Sequence, residues 1–264
     1  MVGPGTACDT CLPATAWDKV QGGDSTSTGR TVERCGGICF SHRMDRRPLQ
    51  NRVTPEGAII ATPERGLMMG NRGGCLHTPD QRLGTRPWAS RQWICCRLEF
   101  RGRRRQLMAP GHYTELFFLD EATALAAGHR PCFECRRADA LRFAELWALA
   151  HAASGAGKGR ARAGQIDGIL HGQRIARDGT KATHRMPLAA LPDGAIVRTR
   201  TGPAVVIDGR LAAWTAAGYR DAVARAPDAA PDRAILEVLT PVSIIAVMKL
   251  GYLPLLHETA RVLR

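Results

Sequence analysis

The chain has 264 residues, 44% of them hydrophobic, and a formal net charge of +13 at pH 7. That length and apolar share suit one large or two modest packed domains, and exclude a chain left unfolded for want of a core. No run of about 18 apolar residues occurs, which argues against a membrane-spanning helix and makes the cytoplasm the expected location.

The basic excess points to an anionic partner, nucleic acid before others. Only 4 of the 37 basic residues are Lys, and the charge is spread over both halves of the chain. Part of it therefore reflects an Arg-, Ala- and Gly-rich composition. Nine cysteines in a reducing compartment suggest metal ligation or burial, and their odd number excludes a fully paired disulfide framework.

Residues 1–43 are rich in Gly, Thr and Ser, with neither helical nor strand periodicity. They read as a dispensable, disordered tail. Cys8 and Cys11, with Cys35 and Cys39, offer the alternative of a second metal site. Met44 is an alternative natural start.

Residues 51–62 are strand-like, and residues 66–84 form a Gly-rich loop holding Cys75 and His77. Residues 93–100 (WICCRLEF) give the clearest strand. Alternation sets Ile94, Cys96, Leu98 and Phe100 on an apolar face, and Trp93, Cys95, Arg97 and Glu99 on the other. A turn at Arg101 and Gly102 predicts a return strand over 103–108. Pro110 and Gly111 predict a further turn before a strand over 113–119. The result is a three-stranded antiparallel meander. Asp120 is placed to cap a helix over 121–127, and Gly128 to end it. Cys132 and Cys135 follow at Cys-x-x-Cys spacing, which supplies half of a tetrahedral zinc site.

Residues 138–153 carry Phe143, Leu146, Trp147 and Ala150 at i, i+3, i+4 and i+7, the mark of an amphipathic helix. The basic stretch 154–164 reads as a flexible linker. Beyond it, residues 165–264 predict a smaller antiparallel α+β domain. It has a helix over 166–174, about three short strands over 191–215, a strand over 234–240 and a helix over 242–250 stopped at Gly251. The fold class expected is α+β: a meander with zinc knuckle and helix over 44–153, then the smaller unit.

The segment 122–137, ATALAAGHRPCFECRR, resembles the end of the zinc-binding domain of the Ada DNA alkylation-repair family. Gly128, Arg130, Pro131, Cys132 and Cys135 match that pattern, and His129 replaces an aromatic residue. The resemblance is confined to residues 117–137. It implies a zinc module that touches DNA and, in the family, a thiolate that takes a methyl group from a phosphotriester. The family's upstream Cys-x-x-x-Cys pair is not intact here: Cys75 corresponds to its first member, but position 79 is Pro79. The expected ligands are Cys75, Cys132 and Cys135, with Cys96 ahead of His77 as the fourth and Cys95 a third candidate.

Arg101, Arg103, Arg104 and Arg105 crowd the first meander turn, and Arg130, Arg136 and Arg137 flank the cysteines. Clustered guanidinium groups on a rigid frame suit phosphate contact; a charged guard on an edge strand is the alternative. Trp93 and His112 are candidates to stack on bases. Asp167, His171, His184 and His257, with Arg174, Arg177 and Lys181, offer a rival hydrolytic set. The leading expectation is a zinc protein that binds DNA or another nucleic acid, in DNA repair. An alkyl-accepting or nucleic-acid-processing enzyme and a zinc-held protein-interaction scaffold are the alternatives.

Overall fold

The alternating strands form, but with different partners from those predicted. The computed structural model describes residues 47–103, 106–152, 159–222 and 235–263; the expected tail over 1–43 lies outside them. The first sheet has β1 (Gln50–Val53), β2 (Ile59–Ala61), β3 (Met68–Asn71), β4 (Ile94–Arg97), β5 (Leu116–Phe118) and β6 (Arg130–Pro131), in the order β2-β1-β5-β3-β4-β6. β3 lies between β4 and β5 and is antiparallel to both. β1–β5 and β4–β6 are parallel.

The consecutive meander is therefore not present. Gly70 at the centre of β3 explains part of this. A Cβ there would lie 2.0 Å from the Ile94 carbonyl oxygen and 2.9 Å from the Phe118 ring, so only glycine lets both neighbours close in. The described part of the predicted return strand over 103–108 is loop and turn. Its end is anchored by Met108, which is fully buried and whose N–H donates to Glu115 Oε2 at 2.8 Å.

The second sheet is antiparallel throughout. It contains β7 (His184–Pro187), β8 (Ile196–Thr199), β9 (Gly202–Ile207), β10 (Arg210–Thr215), β11 (Gly218–Ala222) and β12 (Ile235–Val238), in the order β11-β10-β9-β8-β12-β7. Asp208 and Gly209, with φ of 47° and 72°, form the two-residue turn between β9 and β10 that an Asp-Gly pair favours. With six strands, this sheet equals the first in strand number. The molecule is α+β, with two mostly antiparallel sheets.

Four α-helices complete the described elements: α1 (Glu121–Ala126), α2 (Arg137–Ala150), α3 (Ala163–Arg174) and α4 (Val242–Lys249). The apolar stripe of α2 behaves as its spacing predicts: Phe143, Leu146 and Trp147 are buried. They share a core with Leu125, with Ile166 and Leu170 of α3, with Val206 of β9 and with Ile244 of α4. Side chains from both sides of the expected linker thus fill one interior. The stretch 154–164 separates the two sheets in sequence, but it does not separate two cores, and residues 46–264 form one unit.

Every residue of α1 is buried, and so is its cap. Asp120 accepts from the Thr123 N–H at 2.9 Å, the Thr123 hydroxyl at 2.8 Å, the Tyr219 hydroxyl at 2.7 Å and the His257 N–H at 2.9 Å. Burial pushes its carboxyl above the ordinary value, and these donors offset that. Glu121 accepts from the Tyr252 hydroxyl at 2.6 Å and the Leu255 N–H at 3.0 Å, and pairs with Arg136 at 2.8 Å. Asp120→Ala removes a helix cap and orphans buried donors, and is expected to cost about 3 kcal/mol. A fall in Tm of roughly 10 °C follows for a chain of this size, measurable by thermal denaturation. A change below about 2 °C would remove this pair from its central place.

Candidate metal centre

Cys132 and Cys135 reach their positions through β6 and the turn after it. β6 pairs with β4, and the Cys132 N–H donates to the Cys95 carbonyl at 3.0 Å. The same pairing brings Cys96 of β4 beside the turn. The sulfurs of Cys96, Cys132 and Cys135 all lie within 4.8 Å of one another. Thiolates on one tetrahedral zinc at about 2.3 Å would stand about 3.8 Å apart, so a small contraction suffices. Three close thiols can hold a metal ion.

The three sulfurs are unequal. Cys132 accepts from the Glu134 N–H at 3.4 Å, and bonds from the Cys135 and Cys96 thiols hold it well below a thiol's ordinary range. Cys96 is raised by its bonds with Cys132 and Cys135. Cys135 is raised by its bond with Cys132, and its bond with Cys96 and the backbone of Arg97 partly offset that rise.

All three cysteines line a cleft of about 830 Å³, together with Ile94, Leu98, Phe100, Phe117, Tyr113, Arg97, Arg103, Glu115 and Glu134. The face of residues 93–100 expected to be apolar is therefore a cleft wall rather than core, and Leu98 is 47% exposed. Cys95 takes the opposite face, fully buried against Val53, Leu116 and Phe118. Burial raises its thiol, and Arg136 Nη1 lies 3.6 Å from it.

Cys75 does not join the cluster. Its sulfur lies 3.7 Å from His77 Nδ1 and 3.3 Å from the His77 carbonyl. His77 in turn faces the Thr114 hydroxyl at 2.7 Å and the Ala109 carbonyl at 3.2 Å. Both residues serve a local turn, closed by the bridge between His77 and Leu83. Loop flexibility in the sequence suggested reach towards the metal, but the folded loop satisfies itself.

The predicted phosphate contacts divide sharply. Arg130 makes a bidentate pair with Asp167 at 2.9 and 2.8 Å, with side chains only 6% and 3% exposed. Arg136 is buried between Glu121 and Asp139. Removing one partner of such a pair costs about 3–5 kcal/mol, so neither arginine is free to leave for a ligand. Arg101 and Arg137 are exposed. Arg103 is exposed and pairs with Glu134 at 2.6 Å, an association of about 0–1 kcal/mol that a phosphate can replace. Arg104 and Arg105 lie outside the described residues. Arg97, exposed on the cleft wall, is a further basic residue at the site that the clustering of arginines in the sequence does not single out.

The rival polar set does not form a hydrolytic site: Arg174 and Lys181 meet at one cavity, but the acid and the imidazoles are otherwise engaged. Asp167 is committed to Arg130, and His171 faces Arg174 and the Trp88 ring. His184 sits in β7 against Val238, and the His257 ring bonds Thr259. Trp93 packs rather than stacks on a ligand: it is 3% exposed, against His129 and two arginines. His129 is fully buried, with ring centroids 4.7 Å from Phe118 and 5.0 Å from Trp93. Burial, then Arg72 and Arg174, push its pKa well below the ordinary value, so the ring is neutral. Among the described residues no helix is long and apolar enough to cross a membrane. No protein-family model matches this sequence, and no curated protein or solved structure does.

Proposed function

We propose that the protein holds a zinc ion on Cys96, Cys132 and Cys135 and binds nucleic acid along the cleft those cysteines line. The thiol triad opening on the cleft carries this reading. An all-sulfur donor set favours soft or borderline ions over calcium or magnesium, and the Cys-x-x-Cys turn is a common zinc frame. Zinc there would tie β4 to the turn.

The nucleic-acid half of the proposal rests on the rim. Arg97, Arg101 and Arg103 are exposed beside the cleft, and Arg137 opens α2 on the surface. Phe100, Phe117 and Tyr113 offer ring faces for bases. Contacts of this kind position a backbone with little sequence preference. DNA, in a repair role, is the class the resemblance over 117–137 favours.

Elemental analysis of the purified protein is expected to find one zinc per chain. Cys96→Ala, Cys132→Ala and Cys135→Ala should each lose it, and Cys75→Ala should keep it. Zinc retained in Cys96→Ala but lost in Cys75→Ala would move the site to the loop. Fluorescence anisotropy with labelled DNA should show affinity falling with salt. Arg97→Ala and Arg101→Ala should each lower the slope of log K against log salt by about 1. Binding that ignores salt would instead favour the protein-interaction scaffold.

One observation favours a second reading, in which a cysteine accepts an alkyl group. Cys132 and Cys135 take backbone N–H bonds that damp a thiolate, whereas the hydrogen bonds that shift Cys96 come from the other two thiols. Cys96 is therefore the acceptor if there is one. A sulfur–carbon bond would form as the alkyl carbon–oxygen bond of a phosphotriester breaks, with the phosphodiester leaving. Mass spectrometry after incubation with methylated DNA would show one methyl on Cys96. An unchanged mass removes this reading and leaves the binding module intact.

A further inference from the structure

A second site lies on the other side of β4. Arg72 and Arg174, 2% and 1% exposed, set their guanidinium carbons 4.0 and 3.9 Å from the centroid of the Trp93 ring. Lys181 joins them, and all three line a cavity of about 80 Å³ whose mouth is formed by exposed Pro87, Gly179 and Thr180. Among the described residues none of the three cations forms an ion pair. Their partners are neutral. Arg72 donates to the Gly57 carbonyl at 2.7 Å and the Pro87 carbonyl at 3.3 Å. Arg174 donates to the Gly128 and Arg91 carbonyls at 3.0 and 2.8 Å, and Lys181 donates to the Ala126 carbonyl.

Buried charges are ordinarily matched by opposite ones. Here Glu56 also lines the cavity and is the one acid that helps keep Lys181 charged, while Asp167 is held by Arg130. Arg174 Nε is buried with no partner at all. Among the described residues, three cations face one small cavity that a single carboxylate, Glu56, lines, and Asp167 acts on Arg174 only from within its pair with Arg130.

We propose that this cavity is a binding site for a phosphate group, held by Arg72, Arg174 and Lys181. The positive charge calls for a multiply charged anion rather than a lone carboxylate, and guanidinium forks suit tetrahedral oxyanions. The volume is several times what one water needs, and so admits a group of five heavy atoms. Burial first, and then mutual repulsion, bring Arg72 down to about 9 and Lys181 to about 7. A dianion in the cavity reverses both trends. The backbone is shaped for the cluster: Gly128 has φ of 88°, and a Cβ there would lie 2.6 Å from Arg174 Cβ. The site is independent of the thiol triad and of the function proposed for it.

Calorimetry and thermal unfolding on the full, metal-loaded chain test the site with inorganic phosphate, against chloride at equal ionic strength. Saturating phosphate is expected to raise Tm by roughly 5–10 °C. Lys181→Met keeps the length of the side chain and removes its charge. It should fold as the parent does by circular dichroism, match or exceed its Tm without phosphate, and bind phosphate at least tenfold more weakly. Arg174→Met, at the centre of the cluster, tests folding as much as binding, so Lys181→Met is the deciding variant. Equal Tm in phosphate and chloride, or undiminished phosphate binding by Lys181→Met, overturns the proposal. Two further arms identify the source of the group. A 5′-phosphorylated oligonucleotide that binds more tightly than its 5′-hydroxyl twin marks a nucleic-acid end. Inorganic phosphate binding as tightly as either marks the free anion.

Discussion

The structure depends on two adjacent carboxylates, Asp120 and Glu121, buried at the start of a buried helix. Two acids in an apolar interior are costly unless every oxygen is used. Here each is. Asp120 caps α1 and holds Tyr219 and the His257 backbone. Glu121 holds Tyr252, the Leu255 backbone and Arg136. The partners come from the second sheet, from the C-terminal segment and from the residue next to Cys135. One dipeptide therefore joins the two halves and fixes the turn of Cys132 and Cys135 from behind. It adds to the packing of α2 on α3 and α4 that merges the cores across 154–164, and α1 has no solvent face to give up.

How much of this was legible depends on the range of the interaction that decides it. The cap at Asp120, the stop at Gly128, the stripe of α2 and the Cys-x-x-Cys turn are set within a few residues, and sequence spacing reveals them. Strand partners are set across the sheet. The alternation in WICCRLEF correctly put Cys96 and Cys95 on opposite faces, but could not say which face meets a core. Nor could it show that β3 would slip between β4 and β5, because that insertion rests on Gly70 fitting against Ile94 and Phe118. The failure of Cys75 has the same origin. Its loop closes on His77 and Thr114, contacts that a Gly-rich stretch does not announce.

Charge was the least legible property. An arginine-rich composition looks like a solvated basic surface, yet Arg72, Arg130, Arg136 and Arg174 are all buried. Two of these neutralise Asp167 and Glu121 and act as core struts. The other two form no ion pair among the described residues and converge with Lys181. A net charge of +13 thus divides into a surface share, an internally cancelled share and a concentrated, unbalanced share. Only burial and pairing, residue by residue, separate them.

The asymmetry of the thiol triad follows from the same topology. Cys132 stands on a tight turn and accepts from the Glu134 N–H of that turn, and the backbone of Arg97 on β4 reaches Cys135. Cys96 stands on β4, and the bonds that shift its thiol come from the other two cysteines. Here it also lies on the wall of the cleft. Under the proposed zinc binding, Cys96 is the sulfur whose surroundings decide between an ion that only holds the turn to the sheet and one that leaves a thiolate open to an alkyl group.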